Sequence, residues 1–188
     1  MSINGYDNQV KRVAKKLPKL FGALERKGQF NNTLVILTSD HGQLLGEHGW
    51  IGHGIFLYDE LVKVPLTIKY PLNMKQFNSS GGYISLASIP NFVLDMAEGR
   101  NTDKSLYSDQ VFSESWFSLP KTPGRRICVF SEKGKVTYNF ETNSVEEAII
   151  TAKTNSDAET VNQLVEKCRK FALLNEKLGM VTVSESVN

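Results

Sequence analysis

Groups that bind cations or move protons crowd one short part of the chain. Asp40 and His41 are adjacent, Glu47 and His48 follow, and His53 sits between Gly52 and Gly54. These are all 3 histidines of the sequence. A carboxylate beside an imidazole at the end of a strand can turn both groups toward one divalent cation, and Gly42 is expected to let the backbone turn sharply beneath them. A hydrogen-bonded Asp–His turn uses the same residues, so Ser39-Asp40-His41-Gly42 by itself leaves both readings open. His48 reads equally as an oriented loop residue and as a ligand contact. At His53 the flanking glycines let a ligand approach closely, which makes it a candidate for substrate contact or proton transfer.

The elements that must position these groups follow from periodicity. Residues 34–38 form a nearly continuous apolar run, as in a strand covered on both faces of a parallel sheet, and the Asp–His pair stands at its C-terminal end, where open α/β sheets place their ligands. A second strand is expected over 61–70 through Val62, Val64, Leu66 and Ile68, with Pro65 inside it and Pro71 closing it. The long Gly- and His-rich connection between the two strands reads as functional. Upstream, Val10, Val13, Ala14, Leu17, Leu20, Phe21 and Leu24 predict an amphipathic helix over 7–27 with one buried stripe, kinked or broken near Pro18, with a solvated lysine-rich face opposite. Downstream come a polar loop over 77–82 and a helix over 88–98, with Ser88 as N-cap and Gly99 as stop. Strands follow at 110–115, 126–131 and 135–140, the last two joined as a hairpin across Glu132-Lys133-Gly134. A helix over 157–178 and a polar tail close the chain. The fold class expected is α/β, a mainly parallel sheet flanked by helices, with a small antiparallel element and a C-terminal helix.

Composition sets the outer limits. The chain has 188 residues, 40% hydrophobic and 22% charged, with a net charge of +2. This is globular, and too nearly neutral to point to nucleic acid. Two cysteines, Cys128 and Cys168, make neither a disulfide framework nor a metal knuckle and read as buried thiols. No apolar run approaches the roughly 18 residues of a membrane span.

The series Asn32-Thr33-Leu34-Val35-Ile36-Leu37-Thr38-Ser39-Asp40-His41-Gly42, then Leu45-Gly46-Glu47-His48-Gly49, His53-Gly54, Leu57-Tyr58-Asp59-Glu60 and Val64-Pro65-Leu66 resembles the sulfatase family of the alkaline phosphatase superfamily. The resemblance implies that Asp40 and His41 are two ligands of a divalent cation. Calcium is the first expectation, with magnesium, manganese or zinc open because imidazole suits them too. His53, where many relatives carry lysine, becomes the candidate for substrate contact and general acid, and His48 a further substrate contact. The family's Cys/Ser-x-Pro-x-Arg motif, whose nucleophile is oxidised to formylglycine, does not occur here: Cys128 is followed by Val-Phe-Ser-Glu and Cys168 by Arg-Lys-Phe-Ala. The resemblance therefore implies the C-terminal portion of a longer sulfatase-like hydrolase, inactive alone. Residues 1–145 would form the α/β portion and 146–188 the C-terminal helix and tail. The expected partners are the N-terminal half of the parent and a sulfate-ester small molecule or glycan. Phosphate-ester hydrolysis or phosphotransfer on the same scaffold, and a non-catalytic binding module, are the alternatives.

Overall fold

The computed structural model describes residues 3–74, 76, 82–100, 102–117, 124–151 and 157–178. In chain order the elements are α1 (Ile3–Arg26), β1 (Val35–Thr38), β2 (Leu44–Leu45), β3 (Ile51–Gly52), α2 (Asp59–Val62), β4 (Leu66–Lys69), β5 (Tyr83–Ile84), α3 (Ile89–Ala97), β6 (Tyr107–Ser108), β7 (Gln110–Ser115), β8 (Arg126–Ser131), β9 (Gly134–Asn139), β10 (Ser144–Ile150) and α4 (Asp157–Lys177). They fall into two compact units. The first takes residues 1–53, 58–80 and 89–105, the second 54–57, 81–88 and 106–188. The expected polar tail and most of the 77–82 loop lie outside the described residues. Among those described, no helix is long and apolar enough to cross a membrane.

In the first unit α1 runs unbroken through Pro18. The missing donor removes one backbone bond without stopping the helix, contrary to the expected break. The helix ends where the pattern places its end. Gly28, at φ +67°, donates to the Glu25 carbonyl while Gln29 N–H reaches back to Leu24, a paired cap that needs a left-handed residue. No residue of α1 is fully buried: Leu17, Phe21 and Leu24 are half-buried, Phe21 against the Phe30 ring at 5.7 Å, while Val10, Val13 and Leu20 are each at least half exposed, so the stripe that periodicity assigned to the core is only partly covered among the described residues. β1 pairs with β4 in antiparallel register, Val35 opposite Lys69 and Thr38 opposite Leu66. Every strand pair among the described residues is antiparallel, so the mainly parallel sheet expected from the apolar run is not what they form. An apolar run records which faces want covering and is silent about a partner's direction. The strand expected over 61–70 is also shorter, because 59–62 wind into α2 and the paired strand β4 starts only after Pro65. Lys69 ties this layer together, its Nζ donating to the Phe30 and Thr33 carbonyls and lying 4.4 Å over the Phe30 ring.

In the second unit the predicted hairpin is the centre of a four-stranded antiparallel sheet ordered β10-β9-β8-β7. Periodicity missed β10, whose Val145 and Ile149 are exposed and whose register slips between Val145 and Glu147. The seam against α4 is apolar: Ile127, Val129, Val136 and Tyr138 from the sheet meet Leu164, Val165, Cys168 and Ala172. Phe112 stacks on Phe171 at 4.4 Å, adding about 1 kcal/mol beyond its buried area. Both cysteines are free and fully buried, as expected. Burial, with the neighbouring Cys128 second, pushes the Cys168 thiol up to about 12. Neither thiol of the folded chain should therefore react with an aromatic disulfide reagent at mildly alkaline pH, and both should react in concentrated guanidinium. A fast-reacting thiol in the native chain would contradict this packing.

Candidate active site

The floor of the site is set by Gly42. Its N–H donates to the Leu61 carbonyl at 2.8 Å, and a Cβ placed on it would collide with the carbonyl of Glu60. The glycine is required by this close approach of two backbones, in place of the sharp turn expected from its position. Buried Leu44 and Leu61 anchor the two sides, and β2 pairs with β3, Leu44 opposite Gly52, so the long connection is a braced hairpin.

On this floor Asp40 and His41 are pinned by their own backbone. His41 N–H donates to Asp40 Oδ1 at 2.9 Å, and the Ser39 hydroxyl donates to the His41 carbonyl at 2.8 Å. That N–H first, and the His41 imidazole second, hold the Asp40 carboxyl below its usual range. His41 Nδ1 lies 2.8 Å from the Gly42 carbonyl. A carbonyl can only accept, so the proton sits on Nδ1 and the Nε2 lone pair is spare. Nε2 lies 3.7 Å from Asp40 Oδ2. A carboxylate oxygen and, in the Nδ1–H tautomer of the neutral ring, an imidazole lone pair thus stand side by side, a donor pair that suits a divalent cation. Among the described residues no group of three His, Cys, Asp or Glu side chains forms a complete metal shell.

His53 joins this pair. Its ring lies 4.1 Å from that of His41, centroid to centroid, and its Nδ1 is 2.8 Å from Gln43 Oε1. Gln43 Nε2 donates to the Leu44 carbonyl at 3.2 Å, which fixes the amide so that its oxygen faces the imidazole. His53 therefore also carries its proton on Nδ1 and leaves Nε2 available. Sequence reasoning missed Gln43, although it directly follows the Ser39–Gly42 motif.

His48 is placed differently. Its ring stacks on Tyr58 at 3.8 Å and its Nε2 is 3.3 Å from Glu60 Oε2. It adopts φ +55°, a left-handed backbone that is costly for a side chain with a Cβ and that is held here by those two neighbours. Glu47 turns inward on its own loop, accepting Leu45 N–H at 2.5 Å, and that bond first among the causes holds its carboxyl below the usual range.

The sulfatase family profile matches residues 1–99. Among curated proteins the chain is 35% identical to an N-acetylglucosamine-6-O-sulfatase of Bacteroides thetaiotaomicron over 85 residues, 45% of this chain and 15% of that protein. It is 43% identical to the multifunctional alkaline phosphatase superfamily protein PehA of Trinickia caryophylli over 53 residues, 28% of this chain and 10% of that protein. Among solved structures it superposes with a TM-score of 0.63 and 19% identity on BT4656 in complex with its substrate D-glucosamine-2-N,6-O-disulfate, covering 89% of this chain and 40% of that one. The chain thus spans well under half the length of each of these proteins.

Because the floor depends on the missing Cβ, Gly42→Ala should lower the urea midpoint of the chain by the equivalent of about 1–3 kcal/mol and open residues 39–53 to protease. An unchanged midpoint with unchanged cleavage would mean that the two backbones do not lie so close.

Proposed function

The chain belongs to the sulfatase family, and on that premise we propose that Asp40 and His41 are part of the divalent-cation site of a sulfatase-like sulfuric ester hydrolase in which His53 manages the proton of the leaving oxygen. The observation that carries this reading is the shared edge: a carboxylate and an imidazole Nε2 3.7 Å apart, with a second imidazole 4.1 Å from the first. Hydrolysis belongs in this proposal to the longer parent, whose N-terminal half would supply the formylglycine nucleophile and cover the exposed apolar stripe of α1. Val10, Val13 and Leu20 on that helix support the second role.

Asp40 would hold the cation as an ionised carboxylate, which its backbone bond keeps deprotonated, and His41 would hold it through Nε2 because Nδ1 is spent on Gly42. When bound, the cation would supply Lewis-acid stabilisation of charge on the sulfate oxygens. Calcium is proposed first and magnesium, manganese or zinc next. His53, held at Nδ1 by Gln43, would first take a second proton from solvent on Nε2 and then, as the imidazolium, give that Nε2 proton to the departing oxygen, releasing a neutral alcohol and returning to the neutral ring. His48 is proposed as a further substrate contact, since its half-exposed ring keeps an accessible edge. A sulfated sugar is the proposed substrate class, supported by the N-acetylglucosamine-6-O-sulfatase and by the disulfated glucosamine bound to BT4656. The similarity to PehA favours one second reading, a phosphate ester on the same groups.

The test is an assay of the parent protein on an aryl sulfate and the matched aryl phosphate, with calcium, magnesium, manganese or zinc added in turn. Faster sulfate turnover is expected. Phosphate preference would move the proposal to the second reading, and turnover of neither would leave a non-catalytic module. Asp40→Ala and His41→Ala should each abolish bound metal and activity together. His53→Ala should lower kcat about 100-fold or more with metal content unchanged, and loss of metal as well would place His53 among the ligands.

A further inference from the structure

α1 carries six basic and two acidic residues, so this one helix holds more positive charge than the +2 of the whole chain. Arg26 stands in the last turn, where a cation complements the helix dipole. Lys11, Arg12, Lys15, Lys16 and Lys19 lie too far from that end for the same role. No acidic residue stands between Asp7 and Glu25, all five cations are exposed, and among the described residues none of them makes an ion pair. Arg12 alone has a polar contact there, Nη1 donating to Gln9 Oε1 at 3.4 Å. At about 100° per residue the five fall within one arc of roughly 140°, centred opposite the apolar stripe. Lys11 and Lys15, Arg12 and Lys16, and Lys15 and Lys19 are like charges four residues apart, and each pair works against the helix. A helix that bears this repulsion, with no carboxylate to relieve it, is complementary to a polyanion. From Lys11 to Lys19 the row runs about 12 Å, long enough to meet successive charges on a linear ligand.

The surroundings of the row narrow the ligand. Leu17, Phe21 and Leu24 are half-buried, Phe21 against the Phe30 ring at 5.7 Å, so the apolar side is turned toward the chain and the cations face outward. A helix lying in a lipid surface presents its apolar side instead. No aromatic residue stands between Lys11 and Lys19 to stack on a base. A sulfated polysaccharide needs neither insertion nor stacking, because its half-esters are fully ionised and compact ammonium groups meet them as point charges. We propose that the cationic face of α1 is a binding site for a linear sulfated polysaccharide. The inference rests on the reading of the substrate as a sulfated sugar and extends it from one sugar to a polymer held outside the ester-cleaving groups.

The experiment compares a triple variant on α1, Lys11→Gln, Lys15→Gln and Lys19→Gln, with a control that removes as many charges from the second unit, Lys133→Gln, Lys167→Gln and Lys170→Gln. Glutamine matches lysine in helix propensity, so the α1 variant should keep or raise the urea midpoint of the chain as the repulsion is relieved. The full chain should bind a heparin oligosaccharide at low salt and should not bind the same oligosaccharide stripped of its sulfates. The α1 variant should weaken heparin binding about 10-fold or more and lower the log–log slope of its salt dependence by about 2–3, with the control within about 2-fold of wild type. The parent protein should show the same difference in heparin affinity, with kcat and KM on an aryl sulfate within about 2-fold in both variants. Failure to bind heparin, or equal losses in the two variants, would overturn the proposal. So would tighter binding to single-stranded DNA or to vesicles of anionic phospholipid. If the parent turns over no sulfate ester, the sulfatase reading fails; heparin binding that depends on Lys11, Lys15 and Lys19 would still support the site.

Discussion

The backbone at Gly42 lies against the carbonyl of Glu60, and the arrangement of residues 40–53 depends on that approach. The Gly42–Leu61 hydrogen bond draws the end of β1 onto α2, and the same short helix turns the Glu60 side chain toward His48. One element therefore supplies the floor under Asp40 and His41 and a wall for His48. Ordering a connection of this length costs about 1–2 kcal/mol per residue in backbone entropy. Burial of Leu44 and Leu61 and the β2–β3 pairing offset part of that cost, which is why a loop lined with glycine holds side chains at defined distances.

The second unit is ordered by a different device. Arg126 reaches Glu146 at 2.8 Å and Lys135 reaches Glu147 at 2.5 Å, two ion pairs whose cationic partners are almost fully buried. The slip in register between Val145 and Glu147 is what lets adjacent glutamates both find cations on one face of the sheet. Such pairs add little net stability, since desolvation cancels much of the attraction, but breaking one leaves a charge stranded. They penalise any other register of β8, β9 and β10. Arg125 extends the same logic to β7 and α4, binding Glu114 at 2.6 Å and Glu176 at 2.7 Å.

What was legible in the sequence, and what was not, divides along physical lines. The helices at 7–27, 88–98 and 157–178 announced themselves because a 3.6-residue period needs no knowledge of the partner, and Gly28 and Gly99 marked ends because only a left-handed residue caps a helix in that way. Histidine clustering around Asp40 showed where chemistry could sit. Pairing direction was not legible, since Val35, Ile36 and Leu37 are equally apolar in a parallel and an antiparallel ladder. Nor was β10, whose glutamates answer charges on distant strands and interrupt the alternation. Gly42 was located correctly but for the wrong reason, because a close approach by Glu60 leaves no local trace.

His41 and His53 show how the fold assigns different chemistry to identical side chains. Each spends Nδ1 on the loop, His41 on the Gly42 carbonyl and His53 on Gln43, so the hydrogen-bonding pattern selects one tautomer for both and leaves two Nε2 atoms free. What separates them is the next neighbour. His41 Nε2 stands 3.7 Å from an ionised Asp40 oxygen, and an imidazole beside a fixed anion is a cation ligand before it is a proton carrier. The neutral amide of Gln43 stands at His53 Nδ1 instead, and orients the ring without adding a charge. Under the proposed function, metal ligation and proton transfer are thus divided between two adjacent rings by what stands beside each: a carboxylate next to Nε2 of His41, and at His53 an amide that holds Nδ1 and leaves Nε2 to the substrate.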